Sequence, residues 1–453
     1  MRLSRWRIAS AFALGALLTG CATWSDSFRE IESQLAQENY TQALQALEQH
    51  KGPSRDKALY FLNKGMLLRM AGDYRASNEA LEAAKELMEQ LSATSLLEQG
   101  TTFIVNDASA AYAGEEHEQV LVHLYEALNY LALGDPDNAR VEALQVDLVL
   151  RQQAERISES RYTEDAFARY LTGMIYEDAG EWSDAMIAYR KAYEAYGKYQ
   201  TLYGVGAPLS LKLALLRLTE HLGLRDELRK YQKEFGIDRW TRLAEWRMQG
   251  EVVLVLHNGL APIKRETSTG VLDPFSGHLV RLSLPYYENS SPGLHSAKLI
   301  AADRSAGAEV VEDVQAIARR TLETKMPAIT ARLLARAVVK GVASKAARDA
   351  ARKKNDDKND ALAAAIVGIG IEIAGALTER ADTRSWATLP HDIQIARLLL
   401  PPGTYSVKVE LLGAGESALG GFELPEVVVR PGRKTYLSRH WIAPTSTMSR
   451  RKP

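Results

Sequence analysis

Cys21 is the only cysteine in the 453 residues, so any thiol chemistry is its own and no intramolecular disulfide can form. Beyond it, side chains able to bind a polar partner or move a proton are densest in two places. One stretch carries Asn106, Asp107, Tyr112, Glu115, Glu116, His117 and Glu118. An amide, a phenol, carboxylates and an imidazole on a loop ahead of a helix suit recognition of a partner. The other stretch holds Asp382, Arg384, Trp386 and His391, and its plain reading is a loop pinned by a buried indole and an Asp–Arg pair. Metal binding at the first stretch fails on spacing. His117-Glu118 is followed by His123 rather than by the i+4 histidine that would put two imidazoles on one helical face. Glu115 and Glu116 fit a first helical turn, where the backbone dipole favours negative charge. No Gly-x-Ser-x-Gly elbow, phosphate loop, zinc-protease helix or dinucleotide fingerprint occurs. The expectation is therefore no catalytic residue, no metal and no cofactor, although a glycosidase-type carboxylate pair depends on a separation that sequence does not hold.

Around the thiol the context is specific. Arg2, Arg5 and Arg7 precede an apolar run from Ile8 to Leu18, followed by Thr19, Gly20 and Cys21. A basic start, a short apolar run and small residues before a cut make a secretory signal, and the run is short for a bilayer span. Leu18-Thr19-Gly20-Cys21 resembles a bacterial lipobox, whose cysteine takes lipid, palmitate included, and becomes the mature N-terminus. On that reading residues 1–20 are a signal peptide and 21–28 a lipidated tether. Several acyl chains on one terminus anchor stably, at about 0.8 kcal/mol per buried methylene. Ala22 stands where an aspartate would favour inner-membrane retention, so the resemblance implies the outer membrane, with the body facing the periplasm. The formal net charge of −1 gives no electrostatic case for nucleic acid. With 46% hydrophobic and 25% charged residues, the composition is that of a globular chain.

The elements that must position these residues fall into two halves. From 29 to 240 the pattern is helical, and three windows share a spacing. Gly65, Gly72 and Ser77 form the first; Ala127, Gly134 and Ala139 the second; Gly173, Gly180 and Ala185 the third. A small residue lets two helices approach, the glycine seven later reverses the chain, and another small residue follows. This resembles a tetratricopeptide helix-turn-helix unit. The spacing between units is irregular, and Asn39, Tyr40, Ala43 and Leu47 read as a degenerate first unit. Helices are also expected over 209–222 and 226–234, with Gly236 closing the half.

After Glu251 the period changes. Strands are expected at 252–256, 279–287, 393–397, 399–403, 405–411, 426–430 and 434–440. The fold class is multidomain α+β: an irregular TPR-like array, then a small antiparallel β-sandwich from 250–300 and 385–443. A helical hairpin is inserted over 308–380, and 444–453 is a flexible tail. Within the insertion, Val310 to Thr324 reads as one amphipathic helix and Pro327 as the first turn of a second. Ala361 to Thr378 then forms a nearly all-apolar arm in which Gly368 and Gly375 suit close helix packing or self-association. Glu372 in that arm needs a cationic partner, for which Arg332, Arg336 and Lys340 are candidates.

The lipobox, the 125–135 stretch, Leu256 to Pro262 and Asp382 to Leu400 together resemble a family of functionally uncharacterised proteobacterial outer-membrane lipoproteins of about this length. That resemblance covers most of the mature chain. It implies a Gram-negative envelope and a link to regulators of cell-wall synthesis. The leading expectation is a non-enzymatic scaffold that is held to the membrane through its lipid and binds a periplasmic or outer-membrane protein, with Asn106, Asp107, Tyr112, Glu115 and Glu118 as candidate contacts. Two rivals remain: a peptidoglycan-acting enzyme using acids of that loop, and an oligomeric or pore component built through the apolar arm.

Overall fold

The computed structural model describes residues 24–50, 52–98, 110–156, 164–272, 279–354 and 380–444. Cys21, Asn106, Asp107 and the whole arm with Gly368, Glu372 and Gly375 lie outside them.

The helical half is a succession of pairs. Helices α1 (Trp24–Leu35) and α2 (Tyr40–Gln49) come first, and a short 3₁₀ turn at Ser54–Asp56 leads into α3 (Lys57–Met70) and α4 (Tyr74–Glu98). Then follow α5 (Glu116–Ala132) with α6 (Pro136–Arg156), α7 (Ala166–Ala179) with α8 (Trp182–Tyr203), and α9 (Leu209–His221) with α10 (Arg225–Phe235). The reversals of three of these pairs sit on Gly72, Gly134 and Gly180, at φ of 85°, 74° and 78°, a backbone region that only glycine enters without strain. The small residue seven positions earlier faces the partner helix. A Cβ on Gly65 would lie 2.6 Å from Leu81, and Ala127, Ala139 and Ala143 are buried in the middle pair. This is a TPR-like helical region, and its close approaches are the ones the spacing predicts. Helix α11 (Leu243–Met248) extends the half beyond Gly236.

The second half contains ten strands among the described residues: β1 (Gly250–Asn258), β2 (Lys264–Leu272), β3 (Leu279–Tyr287), β4 (Ser296–Ala301), β5 (Arg304–Gly307), β6 (Glu309–Asp313), β7 (Asp392–Leu400), β8 (Gly403–Leu412), β9 (Ala418–Val429) and β10 (Lys434–Trp441). One four-stranded sheet runs β10-β1-β7-β6, another runs β5-β4-β8-β9, and β2 and β3 form a separate hairpin. Period-two alternation divides β1 between two cores. Val252, Leu254 and Leu256 join Leu299, Val407 and Val409 of the second sheet. Val253 and Val255 join the core of the helical array. β1 is buried on both faces because it is sheet and bridge at once.

Three expectations are corrected. The sheets are not purely antiparallel, since β10 pairs with β1 in parallel. Val310 is not helical: residues 309–313 pair with β7, and the Asp313 carboxylate accepts the Ala316 amide at 2.8 Å, ending the strand and starting the helix. Finally, Pro327 does not open a second helix but sits inside the single α12, Val314–Lys354. One lost backbone bond and a ring clash are offset by burial of Leu322 and Leu333 on either side of it.

Candidate functional site

The loop singled out by its chemistry becomes the junction of four parts of the chain. Glu118, buried in the first turn of α5, accepts the Tyr112 hydroxyl, the Glu115 amide at 2.9 Å and the Trp386 amide at 2.7 Å. Burial raises its pKa, as does the nearby Glu115 charge, while those three donors oppose the rise. Glu115 is bound at 2.6 Å by Lys264 of β2 and at 2.7 Å by Lys325 of α12. Burial would raise its pKa, but the two ammonium groups hold it well below the usual carboxylate range. Arg384 closes the far side, meeting Asp382 at 2.7 Å and Asp56 at 2.9 Å, with its guanidinium 5.3 Å from the Tyr112 ring centroid. Burial pushes His117 down to about 4, so its imidazole is neutral. A cavity of about 300 Å³ opens between Tyr112, Glu115, Lys264, Lys325, Arg336 and Arg384.

The structure brings Tyr112, Glu115 and Glu118 of the candidate loop together in this junction. Tyr112 and Glu118 are 5% and 1% exposed, and they spend their hydrogen bonds on joining α5 to the segment around Trp386. Tyr112 and Glu115 both border the cavity, and Glu115 is already held by two lysines. His391 stands apart from this knot, paired with Asp392 at 2.8 Å.

A second buried network, absent from the sequence reading, seals the array to the sheet. Glu177 of α7 is fully buried and receives Arg217 at 2.5 Å and Arg397 at 3.2 Å, together with the Tyr189 hydroxyl at 2.8 Å. Lys434 Nζ stands 2.9 Å from the same carboxylate without the alignment of a hydrogen bond, and 4.4 Å from the Trp246 ring centroid. Arg397 also grips Glu251 through two bonds, at 2.8 and 2.7 Å. Burial raises the Glu177 pKa, but Arg217, Lys434 and Arg397 outweigh it and hold the group well below its usual range. Burial lowers the Lys434 pKa.

One arrangement has metal-ligand composition. Ligand atoms of His123, Glu126 and Glu142 lie within 4.8 Å of one another. Lys85 Nζ lies 3.0 Å from Glu126 and 3.6 Å from Glu142, and so supplies a cation to both acids. Burial and the Glu142 charge raise the Glu126 pKa, and Lys85 opposes the rise.

The outer face of the array offers a different feature. Val141, Leu144 and Leu148 are 49%, 52% and 43% exposed, and their spacing places them on one face of α6. Ile187 of α8 is 49% exposed. The ion pairs Arg140–Glu181 and Lys191–Asp147 tie α6 to α8 at both ends of this patch, placing Ile187 beside the row. Among the described residues, no helix is long and apolar enough to cross a membrane.

No family model matches the sequence, and no curated protein matches it. Solved structures of nearly identical TPR-like repeats from a Podosopora anserina protein, and of a single-substitution variant of those repeats, cover 46% of this chain and 92% of their own. Both share 16% identity with it, at TM-scores of 0.30 and 0.29. At that level the overlay decides nothing, and the repeat-like character rests on the glycine turns and the close helix contacts described above.

Proposed function

We propose that this chain is a non-enzymatic scaffold, anchored in the outer membrane of a Gram-negative cell by lipid on Cys21, whose helical array binds a periplasmic or outer-membrane protein serving cell-wall synthesis. The observation that carries the binding role is the exposed row Val141, Leu144 and Leu148 beside Ile187. Four large apolar side chains bordered by ion pairs form an apolar centre with a charged rim, the anatomy of a protein interface. An amphipathic helix of the partner, laid along the row, would match both. The buried networks around Glu115 and Glu177 support the same reading, because their acids are committed to holding elements together. The anchor reading rests on Leu18-Thr19-Gly20-Cys21 and the basic, apolar segment before it.

Photoreactive residues at Leu144 and Leu148 in intact cells test the surface. One envelope protein should be captured at both positions, and the L144E/L148E variant should lose it from pulldowns while keeping wild-type thermal stability. Equal capture by the folded variant would overturn the assignment. The anchor is tested separately by palmitate labelling and membrane fractionation of C21S; a variant that stays labelled and membrane-bound would refute it.

A further inference from the structure

Arg69, at the end of α3, is 6% exposed, yet among the described residues no carboxylate pairs with it. Its Nη1 donates to Asn129 Oδ1 and its Nη2 to Ser438 Oγ of β10 at 2.6 Å. The guanidinium lies 5.6 Å from the ring centroid of Tyr74 and 5.5 Å from that of Tyr125. Both hydrogen-bond partners are fixed from behind. The Asn129 amide donates to Ser77 at 2.8 Å and Asn78 at 2.7 Å, which turns its oxygen toward Arg69. Ser438 is also 3.1 Å from His257 Nε2. Burial lowers the Arg69 pKa, and tyrosines alone counter it; an arginine nonetheless keeps its charge. A guanidinium held this rigidly inside the protein with only neutral partners is expensive.

The space beside it explains how that charge is tolerated. A cavity of about 250 Å³ is bordered by Arg69, Tyr40, Tyr74, His257, Arg439 and His440. Arg439 stands at the mouth, 42% exposed and 3.2 Å from Glu38. His440 bonds the Gly259 carbonyl through Nε2 at 2.5 Å, and its buried Nδ1 has no partner among the described residues. Burial holds His440 down at about 4 and His257 well below its ordinary value. The cavity thus has one preorganised cation at its base, the Arg439–Glu38 ion pair at its rim, and neutral side chains along its walls.

We propose that this cavity between the α3–α4 turn and β10 is a binding site for a small oxyanion, a carboxylate or phosphate group seated on Arg69 and admitted past Arg439. The planar fork of an arginine suits both groups.

The test is calorimetric titration of the full chain with inorganic phosphate, acetate, and an acetylated dipeptide with its terminus either free or amidated. Saturable binding of phosphate alone would name a phosphate group. Binding of the free dipeptide, lost on amidation, would name a carboxylate. Either result should weaken about tenfold or more in R69M, as expected for loss of a charge-assisted hydrogen bond, and also in R439E. The second change is at the exposed rim and leaves the buried charge in place, so it reads binding even if R69M folds poorly. Absence of saturable binding of every probe into the millimolar range would overturn the proposal, as would affinities unchanged in R439E.

Discussion

Gly173 of α7 lies so close beneath the ring of Tyr189 of α8 that no Cβ fits between them. The tyrosine cannot retreat easily, because its hydroxyl is bonded to Glu177 one turn along. G173A should therefore cost about 1–3 kcal/mol through overpacking, read as a lower urea midpoint at unchanged slope. Gly197, inside α8 with nothing within 4 Å of a built Cβ, supplies the contrast. G197A should stabilise by about 0.5–1 kcal/mol, the helix-propensity gain alone. Equal effects at the two sites would show that the α7–α8 contact is loose.

Glu177 is the common anion of Arg217, Arg397 and Lys434. E177Q leaves those cations buried together and should cost about 3–5 kcal/mol, as breaking a buried pair does. Because the folded group titrates well below its ordinary value, its stabilising share is present above the unfolded pKa and is lost as pH falls through the folded one. Acid denaturation of E177Q should accordingly be shallower than that of the wild type. Parallel curves from pH-dependent urea melts would show that the network carries no linkage.

Glu312 of β6 is fully buried, and among the described residues neither carboxyl oxygen has a hydrogen-bond partner. Burial, with Asp165 and Asp313 nearby, raises its pKa well above the ordinary value. Its sign is opposite to that of Glu177: the contribution is whole below the unfolded pKa and falls away as pH rises. E312M, near in size and apolar, should gain about 1–3 kcal/mol at mildly alkaline pH. The gap to wild type should narrow in acid. A variant less stable than wild type at alkaline pH would mean that the carboxyl is satisfied.

The Val141, Leu144 and Leu148 row gives a prediction of a different kind. L144K alone should change the unfolding free energy by no more than about 0.5 kcal/mol, the usual range for a surface substitution, while reducing partner capture. A marked destabilisation in thermal melts would mean that the row is covered by the chain itself.

What the sequence discloses here is local. The Gly65–Gly72, Ala127–Gly134 and Gly173–Gly180 spacings give away helix pairs, because the small contact residue and the turn glycine are both dictated within one hairpin. The expectation fails where the deciding contact is distant. Residues 310–313 look helical because Val310 and Val311 continue a helical period into Ile317, and nothing nearby reveals that β7, some eighty residues later, will pair with them. Pro327 reads as a start because its local rule is strong, yet the burial of Leu322 and Leu333 wins. Glu118 accepts the Tyr112 hydroxyl from nearby but also the amide of Trp386, 268 positions away, a contact that no local pattern announces. Arg69 has no sequence signal at all. Its significance is that no acid among the described residues pairs with it, and that is a fact of three dimensions.

The parallel pairing of β1 with β10 constrains the order in which the molecule can be assembled. As the chain emerges from its N-terminal end, the helical pairs complete themselves from neighbouring segments. The apolar run Val252–Leu256 then has no sheet partner until β7 arrives, and its other edge stays open until β10 does. Through that interval a bare β-branched strand with two unsatisfied edges is available to any other chain, the condition that favours aggregation of slow, non-local folds. A cell making this protein must either shield that strand or synthesise the remainder quickly. Delaying the emergence of the segments after β1, from the ribosome or across the membrane, should therefore lower the yield of folded protein more than a delay within the helical array.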